Sequence, residues 1–157
     1  MTEPRRATPD DTDELVRLRG VMLSSMRGGE DVSGPWEDNA AGLLREWLAA
    51  PDSGFAAFVV DRPGESGRLA ACAVAVVHRF LGGPSNPTGR VAYLYNVSTD
   101  PEHRRRGHAK ACMDAVIGWC REQGIASVDL HASTDGSPLY LSMGFVPEAD
   151  LAMRLSL

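Results

Sequence analysis

Apolar positions along this 157-residue chain fall into helical and strand periods that succeed one another. Leu15, Leu18 and Met22 recur at i, i+3 and i+7, the spacing of one helix face. Thr8 reads as the N-cap of that helix, Pro9 as its first residue and Asp11 as the acid three residues on, while Gly28-Gly29 ends it. Arg5 to Thr8 reads as a short opening strand. The stretch from Glu30 to Asn39 is acidic and turn-rich, with Trp36 as its one large apolar residue. A second helix is predicted over Ala40 to Ala49, with Leu43, Leu44, Trp47 and Leu48 on one side and Pro51 closing it.

Strand periods follow. Phe55 to Val60 and Leu69 to His78 are β-rich runs parted by Asp61-Arg62-Pro63-Gly64, a hairpin loop. A Gly-rich loop from Gly82 to Gly89 leads into Arg90 to Ser98, where Val91, Tyr93, Tyr95 and Val97 alternate. A long helix is predicted from His108 to Gln123, with Ala109, Met113, Val116 and Cys120 on one face and Gly124 as its stop. Ser127 to Ala132 reads as a strand, Ser137 to Met143 as a short helix ended by Gly144, and Phe145 to Leu157 as two short strands around Glu148-Ala149-Asp150. The order is β-α-α-β-β-β-α-β-α-β-β. No internal repeat, low-complexity tract or linker interrupts it, so a single domain over 1–157 is expected.

Composition narrows the class. Apolar residues at 43% and charged residues at 24% are ordinary for a globular protein, and a net charge of -5 disfavours nucleic acid and anionic membrane as partners. Cys72, Cys112 and Cys120 form no CxxC pair, and the last two are about 12 Å apart along one helix, too far to bridge. They read as small buried residues of a protein in a reducing compartment. No secretory signal precedes them, and the longest apolar run, Leu69 to Val77, falls far short of a membrane span, so a cytoplasmic protein is expected.

The candidate chemistry lies in Arg104-Arg105-Arg106-Gly107, a basic turn between a strand and the long helix. The first turn of a helix has N–H groups without intrahelical partners, and the peptide dipoles add positive potential there. A pyrophosphate can dock on such groups with little help from side chains. Gly107 lets the backbone approach an anion without a Cβ in the way. Arg104, Arg105, Arg106, His108 and Lys110 add positive potential around it. Neither GxxxxGK[ST] nor GxGxxG is present, so nucleotide and dinucleotide loops are excluded.

Arg104-Arg105-Arg106-Gly107-His108-Ala109 resembles the [QR]-x-x-G-x-[GA] loop of the GNAT (Gcn5-related) N-acetyltransferases. Asn96-Val97-Ser98-Thr99-Asp100-Pro101 precedes it at the family's spacing, and Leu139-Tyr140-Leu141-Ser142-Met143-Gly144-Phe145 is similar to the family's LYxxxGF segment. The stretch from Arg5 to Arg19 resembles the family's opening strand and helix. The resemblance implies an α+β fold (α/β in some schemes) with a mixed, mostly antiparallel sheet of six or seven strands and helices on both faces. It implies acetyl-coenzyme A as co-substrate and transfer of the acetyl group to an amine of a small molecule or peptide, by direct attack in a ternary complex without a metal. Val97, Ser98 and Thr99 would meet the pantetheine arm. Arg104, Arg105, Arg106, Gly107, His108, Ala109 and Lys110 would surround the pyrophosphate. Tyr140 would protonate the departing thiolate, and Ser133 stands where many members have Asn.

The attacking amine must be neutral, the oxyanion needs a backbone donor and the thiolate an acid. Where the family often supplies a carboxylate, Tyr93-Leu94-Tyr95-Asn96 has none; His78, His131 or ordered water remain as bases. Acceptor recognition is expected from the Gly29–Asn39 and Gly82–Gly89 loops, and Glu30, Asp31, Glu37 and Asp38 hint at a cationic acceptor. Two rivals stand beside this reading: an acyl-coenzyme A sensor of the same fold without turnover, and a nucleic-acid binder, which the acidic charge opposes. Family members are often homodimers, and the sequence leaves the oligomeric state open.

Overall fold

The apolar periods of the sequence fold into two hydrophobic layers on opposite faces of one sheet. The computed structural model describes residues 3–50 and 52–157. Pro51, expected to close the second helix, lies outside the described residues. The chain runs through β1 (Arg5–Arg6), α1 (Thr12–Met26), α2 (Trp36–Ala49), β2 (Phe55–Asp61), β3 (Leu69–Arg79), β4 (Arg90–Thr99), α3 (His108–Glu122), β5 (Val128–Asp129) and α4 (Ser137–Ser142). Short 3-10 turns at Pro9–Asp11 and Pro101–His103 lead toward α1 and α3. Strands β1 to β5 lie in sequence order, antiparallel except for the parallel β4–β5 pair.

Helix α3 packs Cys112, Met113, Val116 and Cys120 on one face of the sheet against Ala71, Ala73, Ala75, Ala92 and Leu94. Helix α1 places Leu15 and Leu18 on the other face against Val59, Cys72 and Val74, with Leu44, Trp47 and Leu48 of α2 beside them. Because both faces are covered, β3 is buried at every position from Leu69 to Ala75, a continuous apolar run instead of an alternation. The three cysteines are free and buried, as expected. Burial pushes the Cys112 thiol up to about 12 and that of Cys120 up to about 11, so both stay protonated.

Several boundaries differ from the sequence reading. The Thr8 N–H donates to the Asp11 carboxylate at 2.8 Å, as a capping box requires, but the chain makes a 3-10 turn before α1 begins at Thr12. Helix α2 starts at Trp36, four residues earlier than expected, because Pro35 enters the helix backbone at φ -59 and ψ -21.

Strand β5 is only two residues long, since its partner β4 leaves it after Tyr93. The two strands expected within Phe145 to Leu157 do not form, so among the described residues the sheet has five strands instead of six or seven. The tail after Phe145 finds no ladder partner, and Leu151, Met153 and Leu155 stand 87%, 91% and 84% exposed. Among the described residues no helix is long and apolar enough to cross a membrane.

Candidate active site

Strand β4 builds the site by an irregularity. Cys72 faces Ser98 and Val74 faces Tyr95, so Asn96 and Val97 together oppose the single residue Ala73. This is a β-bulge, which leaves an extra residue unpaired and bends the strand. Asn96 sits at φ 53, in the left-handed region that Asn tolerates better than most side chains. Upstream of it Tyr95 packs on the α1 side; downstream Val97 packs on the α3 side. The Ser98 hydroxyl donates to the Leu18 carbonyl at 2.8 Å, tying the strand to α1.

Beyond Tyr93, β4 and the segment after β5 part, and the gap between them opens as a cleft of about 1320 Å³. Parting parallel strands leave backbone donors and acceptors free for an extended ligand. At one end stands the basic turn. Gly107, at φ 78, is the N-cap of α3, and Arg105 is also left-handed at φ 61. Alternation of this kind turns successive N–H groups to one side as an anion-binding concavity, continued by the free N–H groups of the first α3 turn. His103, in the turn before, has a buried Nδ1 without a hydrogen-bond partner. Burial, with His103 and Arg106 nearby, lowers the His108 pKa and favours its neutral form.

Eleven of the twelve residues singled out in the sequence line this one cleft: Val97, Ser98, Thr99, Arg104, Arg105, Gly107, His108, Ala109, Lys110, Ser133 and Tyr140. Arg106 does not; it is exposed outside the lining. Several side chains are already engaged. Arg104 Nε donates to the Thr99 carbonyl at 3.3 Å, Lys110 pairs with Asp114 at 2.8 Å, and the Ser133 hydroxyl accepts the Gly136 N–H at 3.1 Å. Tyr140 is half-buried on α4 with its ring edge toward Phe145, and burial raises its pKa, so its hydroxyl keeps its proton at neutral pH.

The acceptor loops expected from the sequence are not in this lining. No residue from Gly82 to Gly89 reaches the cleft, because the loop folds on itself at the far end of the β3–β4 hairpin. Glu30, Asp31 and Glu37 line a separate recess of about 540 Å³ behind α1, so they do not support a cationic acceptor in the cleft.

The open end of the cleft is formed instead by Arg19, Met22, Leu23 and Met26 of α1, Tyr93 and Tyr95 of β4, His131, and Arg154 of the tail. Tyr93 Oη and His131 Nδ1 are 2.7 Å apart and share a hydrogen bond. His78 lies beside Tyr93, with ring centroids 6.3 Å apart, but outside the lining. Arg19 and the bulge were not anticipated as site features. The signal for the bulge was an Asn inside a strand, where that residue is scarce.

The loop between β4 and α3 is fixed from below by a charged network. Asp100 is 3% exposed; its carboxylate accepts from Arg17 at 2.7 Å and also pairs with Arg62. Burial opposes ionisation of Asp100, but the two guanidinium groups outweigh it and hold its carboxyl below the usual carboxylate range.

Residues 21–145 match the family described as the Acetyltransferase (GNAT) family. N-acetyltransferase 8F1 of Rattus norvegicus is 33% identical over 119 residues, which are 71% of this chain and 51% of that protein. Galactokinase of Canis lupus familiaris is 30% identical over 121 residues, 76% of this chain. The chain thus spans about a quarter to a half of the length of the curated relatives it matches.

Among solved structures, a predicted acetyltransferase of Clostridium acetobutylicum with acetyl-CoA superposes at TM-score 0.84, with 24% identity over 99% of this chain and 96% of the other. A GCN5-related N-acetyltransferase of Ralstonia eutropha gives TM-score 0.82, with 28% identity over 99% of both chains. With a family match over residues 21–145 and two such folds superposing over nearly its whole length, the chain belongs to the GNAT family of acetyltransferases.

Proposed function

We propose that this chain transfers the acetyl group of acetyl-coenzyme A to an amine of a small molecule or peptide, by direct attack in a ternary complex. The observation that carries this reading is the gap between β4 and the segment after β5, bounded at one end by the amide cradle at Gly107 and at the other by aromatic side chains. The residues fit the coenzyme. Val97 to Thr99 offer a strand edge to the pantetheine arm, and Arg104, Arg105, Gly107, His108, Ala109 and Lys110 offer a cationic rim and free amides to the pyrophosphate. The unpartnered Nδ1 of His103 is a further polar group for it.

A tetrahedral oxyanion next to β4 is stabilised by a backbone N–H released at the Asn96 bulge. Tyr140 gives its proton to the leaving thiolate, and Ser133 anchors the turn behind it. The amine loses its proton to His131, directly or through the Tyr93 hydroxyl bonded to it. Three buried free cysteines support a reducing, cytoplasmic setting.

A second copy of the chain belongs to the same proposal. Leu151, Met153, Leu155 and Leu157 alternate along an exposed tail, the period of a strand with one apolar face, and that face is covered when two copies associate as a homodimer.

The test combines heat and thiol release. Acetyl-coenzyme A at a hundredfold excess over its dissociation constant stabilises the fold by about 2.7 kcal/mol. A panel of amines then releases free coenzyme A thiol. Stabilisation without thiol release for any amine would instead mark a sensor that binds and does not turn over.

A further inference from the structure

Arg19 and Arg154 are cationic side chains at the open end of the cleft, and among the described residues no acid pairs with either; of the two, Arg19 is held by the β4 side chains beside it. Other arginines are paired: Arg17 with Glu14 and Asp100, Arg62 with Asp100 and Glu65, Arg5 with Asp11 and Asp61, Arg45 with Asp13, and Arg68 with Glu14. Among the described residues no carboxylate lies within 4.0 Å of the Arg19 guanidinium. It rests 5.9 Å over the centre of the Tyr95 ring and donates at 3.4 Å to Asn96 Oδ1, a long bond that leaves most of its N–H groups free. Held over an aromatic face and half-buried, the guanidinium borders the cleft with part of its rotamer freedom already lost. Arg154 lines the same end, and among the described residues Asp135 is the sole carboxylate in the lining.

This charge is separate from the coenzyme cradle. Arg19 contacts Tyr95 and Asn96 on the α1 side of the bulge, whereas the pyrophosphate cradle begins at Arg104, beyond the end of β4. An unpaired guanidinium beside the expected reaction point repels a protonated amine unless the same molecule brings a compensating anion.

We infer that the acceptor is an amine that also carries an anionic group, a carboxylate or a phosphate, and that this group pairs with Arg19 on the Tyr95 ring. The inference rests on the acetyl-transfer reading for its turnover but not for its binding. Arg19 sets which acceptors enter, and the amine end of the molecule then faces the Tyr93–His131 pair. A bidentate, charge-assisted pair with a planar carboxylate suits Arg and is weakened by Lys.

The test uses matched acceptors: an amino acid and its amide, and an amino sugar phosphate and the free amino sugar. Their binding is measured by calorimetry on the protein saturated with coenzyme A, and their acetylation by thiol release. One anionic member of the pairs is expected to bind about 10- to 100-fold more tightly than its neutral counterpart. The amino acid arm reads carboxylate, the sugar arm phosphate.

Arg19→Gln removes the preference and Arg19→Lys restores part of it, while both keep the acetyl-coenzyme A thermal shift. Equal binding of both members in both pairs overturns the inference, as does a preference that persists in Arg19→Gln. So does loss of coenzyme affinity in Arg19→Gln, which would assign Arg19 to the coenzyme instead. Anion-dependent binding without any thiol release upholds the Arg19 site and overturns acetyl transfer alone.

Discussion

Gly136 lies so close to Tyr140 that a Cβ on it would stand 2.9 Å from Tyr140 Cε2 and 3.2 Å from Cζ. The same atom would meet the Ser133 hydroxyl at 3.2 Å. Gly136 has an ordinary φ of -82, so its small size matters here for the approach of the tyrosine ring and not for backbone freedom. The proposed acid is thus seated by the residue four positions before it.

Gly136→Ala should push the Tyr140 ring out of line and lower kcat, while acetyl-coenzyme A affinity holds. Tyr140→Phe should lower kcat by about a hundredfold, the low end for removal of an acid–base group. Steady-state kinetics with a fixed acceptor reads both. Full turnover in Tyr140→Phe would remove the tyrosine from the chemistry.

Gly107→Val should abolish measurable acetyl-coenzyme A binding. A Cβ at Gly107 meets no protein atom within 4 Å, so the branched side chain would fill the space the phosphate needs, and φ 78 is strained for Val. Gly107→Asn, which tolerates that backbone, separates the two effects: it should keep the melting temperature near that of the parent and still weaken coenzyme binding. Thermal shift with and without coenzyme is the readout.

His131→Gln and Tyr93→Phe should each lower kcat, and the double variant should lose little more than the worse single one. Groups that pass one proton along a 2.7 Å bond act as a unit, and such pairs are far from additive. Additive losses would mean that the two act separately.

Asp100→Asn should destabilise the fold by about 3 kcal/mol, because it leaves Arg17 and Arg62 without their shared partner. For a chain of 157 residues that is a fall of roughly 6–12 °C in Tm. The acid limb follows from the same groups. Asp11, Glu14 and Asp100 are each held below the usual carboxylate range despite burial: Asp11 by Arg5, Glu14 by Arg17 and Asp100 by Arg17 and Arg62. Their contribution is complete above the unfolded value of about 4 and is lost as pH falls below it through the folded values. Tm against pH should drop below about pH 4 in the parent and less steeply in Asp100→Asn.

Removal of the tail after Val146 should convert a dimer to a monomer in sedimentation experiments. It takes away the exposed face of Leu151, Met153, Leu155 and Leu157. A parent chain that is monomeric at all concentrations overturns the dimer.

The helices and central strands were readable because their apolar spacing is enforced by two cores, one on each face of the sheet. The turn at Arg104 to Gly107 was readable because an αL cap before a helix demands glycine. Three features were not. The tail has the alternation of a strand, yet pairing needs a neighbouring edge, which periodicity alone does not supply. The acidic residues Glu30, Asp31 and Glu37 advertise charge, but their position behind α1 is a matter of packing. Arg19 looked like any helical arginine, and its meaning comes from the carboxylates that are missing around it, a property of the folded neighbourhood and not of the string of letters.

The doubled step at Asn96 and Val97 has a consequence for how this strand can change over time. It breaks the odd–even parity of β4, so Tyr95 before it and Val97 after it pack into different layers. In the proposed reaction, Tyr93 and Tyr95 would be free to drift with the acceptor, while Val97 to Thr99 would stay tuned to one donor. A single strand thereby behaves as two independently adjustable rulers joined at one joint, and losing one residue there would bring both out of alignment at once.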